Sequence, residues 1–318
     1  MGFIKSRLFI VVPCFNEEQV LPETAKRLKQ KLLSLENSGV ISDSSRVLFV
    51  DDGSDDKTWE IISALHSDDR MFCGISLSRN EGHQNALVAG LFEAAKHADA
   101  IVSMDADLQD DINAIDKMIK EYQNGCDIVY GVRSNRKSDS RFKRSSAGAF
   151  YRLMNFFGAK TVCNHADFRL MSKRAVEALE QFREVNLFLR GIVPLIGFKT
   201  AVVEYERQKR FAGKSKYPLK KMVSFAVDGI TSFSIKPIRF VTLLGFLILL
   251  ASLGMLIYAL VSYFNDAVRG WSSILISIWG IGGLILFSIG IIGEYIGKIY
   301  LESKARPRYF IEKTLIDD

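Results

Sequence analysis

The chain has 318 residues, of which 48% are hydrophobic, and a formal net charge of +6. That length allows one large domain with an appendage or two domains, and the hydrophobicity, concentrated after Pro237, argues against a wholly soluble protein. Cys14, Cys73, Cys126 and Cys163 stand far apart, with no C-x-x-C pair and no histidine at ligand spacing, so they read as reduced thiols of a cytosolic domain.

At the N-terminus, "LFIVVPCF" is short and runs straight into Asn16, Glu17 and Glu18 without a small-residue cleavage site, so it is not a signal peptide. "MGFIKS" fits the loose myristoylation pattern by chance. From residue 1 to about 210, "LFIVVP", "RVLFVDD", "FCGISLS", "AIVSMDAD" and "DIVYGVR" predict strands. Between them "ETAKRLKQKLLSLE", "KTWEIISALHS", "HQNALVAGLFEAAKH" and "INAIDKMIKEYQNG" carry apolar residues at i, i+3 and i+4, the helical period. This alternation predicts an α/β domain with a mainly parallel sheet and helices on both faces. In such sheets ligands bind at the carboxyl ends of the strands. Each predicted strand ends in a polar cluster: "NEE", "DDGSDD", "RNEGHQN", "DADLQDD" and "RSNR".

Beyond Arg207 the character changes. "RQKRFAGKSKYPLKK" holds seven basic residues and no acidic one, and suits anionic lipid headgroups beside a membrane. "MVSFAVDGITSFSIKPIR" reads as an amphipathic juxtamembrane helix. The uncharged runs Phe240 to Phe264 and Trp271 to Gly293 are each long enough to cross a bilayer. Only "NDAVRG" separates them, so they predict a two-helix hairpin with both chain ends on one side. Lys236 and Arg239 before it and Lys298, Lys304, Arg306 and Arg308 after it place that side in the cytoplasm. The expected organisation is a cytosolic domain at 1–216, a juxtamembrane segment at 217–236, spans at 237–264 and 271–297, and a cytosolic tail at 298–318. Two isolated spans leave surface for a homo-oligomer, and no nucleic-acid partner is expected.

Several chemistries fall away. No G-x-G-x-x-G follows the first strand, "GIVPLIGFKT" lacks P-loop spacing, and no Ser or Cys sits in a nucleophile elbow. Carboxylates remain. Asp51 and Asp52 precede Gly53 and Ser54, a tight-turn sequence with exposed amides, and a carboxylate there can accept from a base or ribose. Asp105 and Asp107 bracket Ala106 after the fourth strand, and because residues i and i+2 at a strand end point the same way, both carboxylates can converge on one point. Paired so closely they repel, and Mg²⁺ or Mn²⁺ removes the conflict with oxygen ligands shared with substrate phosphates. Gln109 could add a neutral oxygen. "GVRSNRKSDSRFKRS" sets six basic residues against one Asp, with Arg133 at a strand end, where guanidinium forks suit phosphate.

"VVPCFNEE", "FVDDGSDDKTW", "LSRNEGHQNA", "DADLQDD", "YGVRSNR", "DFRLMSKRA" and "RFAGKSKYPLKKM" together resemble family-2 glycosyltransferases of the GT-A fold. More narrowly, they resemble the polyisoprenyl-phosphate members: bactoprenol (undecaprenyl-phosphate) glucosyltransferases and the related dolichol-phosphate mannose synthases. The resemblance covers essentially the whole chain and rests on the ordered set rather than on one motif. Within "DADLQDD" relatives commonly carry a proline that this chain lacks.

The resemblance implies a membrane-anchored, metal-dependent, inverting hexosyltransferase of a bacterial plasma membrane, with its catalytic domain and both termini cytoplasmic. Pro13, Asn16, Glu17, Asp52, Asn80 and Asp105 would bind the nucleotide sugar, UDP-glucose by first choice. Asp105, Asp107 and Gln109 would hold Mg²⁺ or Mn²⁺. Arg133, Arg144, Arg207, Ser215 and Lys216 would grip the phosphate of the polyprenyl acceptor. Asp107, Arg133 and Asp167 are the candidate catalytic residues, Asp167 as a base or as a salt-bridge partner of Arg169. A polyprenyl phosphate is largely dianionic at neutral pH, so its attack needs no general base. Other donors (GDP-mannose, UDP-N-acetylglucosamine or an aminoarabinose type) remain open. A processive synthase would carry a Q-x-x-R-W element absent from this sequence, and a non-catalytic nucleotide-sugar-binding partner would not need the intact "DAD" and arginines.

Overall fold

Seven consecutive buried residues, Leu8–Cys14, form the central strand β1, and the chain is wound outward from it. The computed structural model describes residues 5–134, 165–184, 189–206, 238, 241–248, 250, 254, 257 and 271–316. Beside β1 lie β2 (Arg46–Asp51), β3 (Phe72–Leu77) and β4 (Ala100–Ser103), each parallel to its neighbour and buried on both faces. Strands covered on both sides read as continuous apolar runs rather than as alternation, which is how they appear in the sequence.

Four helices are the predicted ones: α1 (Leu21–Asn37), α2 (Thr58–Asp68), α3 (His83–Ala95) and α4 (Ala114–Gln123); α5 (Lys173–Glu180) is a further one outside the predicted set. On α1 the buried positions Leu21, Ala25, Leu28, Leu32 and Leu35 form one stripe at helical spacing. Packing is closest at α3, where Gly90 lets the helix backbone approach the sheet. A Cβ there would lie 2.4 Å from a Val11 methyl and 2.6 Å from a Val50 methyl.

The sheet is mixed rather than mainly parallel. Its order is β7-β5-β6-β4-β1-β2-β3-β8, with β5 at Ile128–Arg133, β6 at His165–Ser172, β7 at Thr200–Tyr205 and β8 at Ile311–Leu315. β6 runs antiparallel between β4 and β5, and β8 runs antiparallel along β3. β8 belongs to the stretch expected to be a plain tail. Residues 306–318 fall in the same compact unit as the sheet, and residues 218–305 fall in a second unit.

Within that second unit the described helix is Trp271–Ser303, 33 residues, six beyond the expected end of the second span. Its portion Gly280–Ser303 is, among the described residues, the one stretch long and apolar enough to cross a membrane. The first expected span and the juxtamembrane segment lie largely outside the described residues, although 241–248 are helical. Of the cysteines, Cys14, Cys73 and Cys126 are buried free thiols, and Cys163 lies outside the described residues.

Because valine methyls on a central sheet have little room to move, Gly90→Ala should cost about 1–3 kcal/mol of domain stability, read as a lower thermal unfolding midpoint.

Candidate active site

The site begins where two central strands part. β1 and β4 pair from Leu8–Ala100 to Val11–Ser103 and no further, while β1 continues beside β2 to Cys14–Asp51. The Val11 carbonyl accepts from Met104 N at 3.1 Å and the Cys14 carbonyl accepts from Asp52 N at 2.9 Å. Alternate residues of a strand face the same neighbour, so Pro13 faces the side where β4 has ended. Its missing N–H therefore costs no ladder bond, which is what admits a proline to a central strand. The order reverses between β1 and β4, the place where open sheets of this type leave a crevice.

The loops after β1 and β2 are laced together. Asn16, at φ 55, donates its N–H to Ser54 Oγ at 3.0 Å and accepts from Asp55 N at 2.9 Å. Glu17 N donates to Thr58 Oγ1 at 3.0 Å. Asp51 accepts from Ser54 N at 3.2 Å and Ser76 Oγ at 3.0 Å. Asp52 accepts the amides of Glu81 at 2.8 Å and Gly82 at 3.0 Å, one on each oxygen. Burial pushes its carboxyl up to about 6, against the pull of those two amides and His83. Asp52 thus anchors the loop that starts α3, and each of its oxygens keeps a second lone pair. Gly53, at φ +63, lies where a Cβ would meet the Arg79 carbonyl carbon at 2.5 Å. Past it opens a cavity of about 470 Å³ whose walls include Phe15, Ser54, Trp59, Arg79 and Asn80.

The "DAD" carboxylates do not sit on a strand. β4 ends at Ser103, so strand alternation does not orient Asp105 and Asp107. The loop is shaped instead by Gln109 N donating to Asp107 Oδ1 at 3.1 Å, by Leu108 at φ 56, and by Thr24 Oγ1 donating to the Ala106 carbonyl at 2.8 Å. Asp107 is buried at 8% exposure, whereas the Asp105 side chain keeps 37%. Loss of surrounding water pushes Asp105 up to about 6, with repulsion from Asp110, Asp167 and Asp107 adding and His83 opposing. The donor set suits a hard divalent ion: two adjacent carboxylates in mutual repulsion. Among the described residues no group of three acidic, His or Cys side chains forms a complete cage, and Mg²⁺-type sites take their other ligands from water and substrate phosphate.

Two arginine clusters close the far side. Arg133 donates to Asp110 Oδ1 at 3.2 Å and to Tyr205 Oη at 3.2 Å, and Tyr205 donates to the same Asp110 oxygen. Burial works against its charge, but Tyr205 and Asp110 hold the guanidinium protonated beyond its usual range. Arg133 is therefore engaged with the loop that carries Asp107, through Asp110. Asp110 stands four residues ahead of α4, which begins at Ala114, and its buried carboxylate is taken up by the ion pair with Arg133. Asp167 accepts from Arg169 at 2.6 Å and from Arg190 at 3.1 Å. Arg144, Arg207, Ser215 and Lys216 lie outside the described residues.

The family profile for "Glycosyl transferase family 2" matches residues 9–180, which takes in β2 to β6, the "DAD" loop, Arg133 and Asp167 but not β7, Arg190, the apolar helix or the C-terminal strand. The chain belongs to that family. It is 54% identical to an uncharacterized glycosyltransferase, YkoT, of Bacillus subtilis over 98% of this chain and 93% of that one. It is 42% identical to the SfII prophage-derived bactoprenol glucosyl transferase of Shigella flexneri over 97% and 98%, and 40% identical to a prophage bactoprenol glucosyl transferase homolog of Escherichia coli over 97% and 99%.

In this family-2 glycosyltransferase two site residues were not among the candidates named from the sequence, although His83 lies within the polar cluster "RNEGHQN". His83 Nε2, at the start of α3, stands 3.5 Å from Asp105 and 3.8 Å from Asp167. Arg190 comes from a short helical turn at Leu189–Ile192. Asp167 resists burial through the charges of Arg190, Arg169 and His83, which hold its carboxyl far below the usual range. A group so firmly ionised is a poor proton acceptor. It contributes stability that is present above the ordinary carboxylate range and is lost only as pH falls through its depressed value. Arg169 is 1% exposed and relies on Asp167 for its counter-charge. Asp167→Asn should therefore cost about 3 kcal/mol of domain stability, measured by chemical unfolding at neutral pH. Arg190→Ala, on a guanidinium 41% exposed, should cost clearly less.

Proposed function

We propose that the protein transfers a hexose from a nucleotide sugar to the phosphate of a polyprenyl phosphate at the cytoplasmic face of a membrane, with UDP-glucose and undecaprenyl phosphate as donor and acceptor of first choice. The observation that carries this reading is the 42% identity to a bactoprenol glucosyl transferase over almost the whole of both chains, the apolar C-terminal region included.

The geometry supports it in three places. The cavity beside Gly53 offers aromatic and amide walls to a nucleoside. Asp105 and Asp107 would hold Mg²⁺ or Mn²⁺, which when bound offsets the charge of the departing diphosphate. Asp167, held ionised between arginines, orients Arg169 and Arg190 rather than taking a proton. None need be taken, because the acceptor phosphate arrives as an anion. Its oxygen attacks the anomeric carbon in line as the bond to the diphosphate breaks, and an α-linked donor yields a β-linked product. What the protein supplies is positioning and electrostatic support.

A topological argument supports two crossings for the membrane anchor. β7 and β8 are strands of one sheet, so a chain that leaves it after Tyr205 and returns at Ile311 would cross a bilayer an even number of times. The helix ending at Ser303 is long and apolar enough to be one crossing, and the uncharged run from Phe240 to Phe264 would be the other.

Purified in detergent, the full chain should transfer sugar to undecaprenyl phosphate from one donor of a panel holding UDP-glucose, GDP-mannose and UDP-N-acetylglucosamine. Chelation by EDTA should abolish transfer, and Mg²⁺ or Mn²⁺ should restore it. Asp105→Ala and Asp107→Ala should each lower kcat at least about 100-fold; transfer at the unmodified rate by either would sink the metal assignment.

A further inference from the structure

The C-terminal strand does more than cover a sheet edge. Along β3 and β8 the register runs Gly74–Leu315, Ile75–Thr314, Ser76–Lys313 and then Leu77–Ile311. Glu312 has no partner in that ladder and is the extra residue of a β-bulge. In a regular strand Glu312 and Lys313 would face opposite sides of the sheet. With the bulge between them, both line the 470 Å³ cavity that also holds Ser54, Trp59, Arg79 and Asn80. Bulges of this kind re-aim side chains. The Lys313 ammonium lies 6.0 Å from the Trp59 ring centroid, over its face.

The strand is also held in place at its start. Arg308 donates to the Phe182 carbonyl, and Ser78 N donates to the Phe310 carbonyl at 3.0 Å. The cavity connects to the carboxylates through a short chain of contacts. Asp52, next to Gly53, accepts from Gly82 N at 3.0 Å, and the following residue, His83, stands 3.5 Å from Asp105.

We propose that β8 completes the donor site, with Lys313 and Glu312 binding the nucleoside portion of the sugar nucleotide against Trp59. This rests on the donor reading above. The segment that follows the apolar helix thereby becomes a wall of the donor pocket, so that nucleotide affinity depends on β8 being docked on β3.

The test uses the full chain in detergent and titration calorimetry with uridine and guanosine diphosphates, followed by transfer kinetics with the donor that works. Lys313→Ala and Glu312→Ala should each weaken the preferred nucleoside diphosphate about fivefold to tenfold. The KM for the nucleotide sugar should rise in step, while the KM for polyprenyl phosphate and the unfolding midpoint stay unchanged. Thr314→Ala, exposed on the same strand but outside the cavity, should change none of these. If both cavity variants bind the nucleotide as the unmodified chain does, β8 is an edge cover only and the proposal falls, although the transferase reading stands. If the unmodified chain binds no nucleoside diphosphate, both readings fall together. A preference for guanosine over uridine would change the donor, and the same variants would then be read with that base.

Discussion

Everything at this site depends on β4 stopping at Ser103 while β1 runs on to Cys14. Had the two stayed paired, the loop carrying Asp105 and Asp107 would start further out and the crevice at the switch point would be filled. The early end is tolerated because Pro13 sits where a lost partner costs no hydrogen bond. The freed loop is then tied down elsewhere, by Thr24 on α1 and by Asp110 in its ion pair with Arg133. Strand length, proline position and loop anchoring are one arrangement read at three places.

The same economy governs the polar residues after β1 and β2. Most of the conspicuous acids and amides there are occupied with backbone N–H groups: Asn16 with that of Asp55, Asp51 with that of Ser54, Asp52 with those of Glu81 and Gly82. Backbone groups in tight, buried turns must find partners, and short polar side chains supply them. What faces a ligand is then the surface these turns shape, with Phe15, Trp59 and Asn80 in its wall.

The sequence showed the first half of the fold plainly and the second half poorly, for physical reasons. β1 to β5 are apolar runs between amphipathic helices, and periodicity finds both. β6 hides because its centre carries Arg169, a charge buried against Asp167, which no hydropathy pattern anticipates. β8, "IEKTL", is a short edge strand with three polar residues among five, too few apolar positions for a strand pattern to show, so it reads as a solvated tail. The candidate site was legible in its residue types: Asp105, Asp107, Asp167 and Arg133 all come to the carboxyl edge. Their roles were less legible, because the partners that decide them, Tyr205, Arg190 and His83, lie 22 or more residues away in sequence and meet them only in the fold.

Asp105 and Asp167 divide the work by environment. They share His83 as a neighbour, yet one is pushed up to about 6 and the other is driven far down. The difference lies in what else surrounds them. Asp167 has two guanidinium groups within hydrogen-bonding distance, so its charge is already compensated and further positive charge has little to gain there. Asp105 has three other carboxylates acting on it and one histidine to offset them. The compensated carboxylate holds two guanidinium groups in place, and the uncompensated one is where added positive charge would relieve the most repulsion.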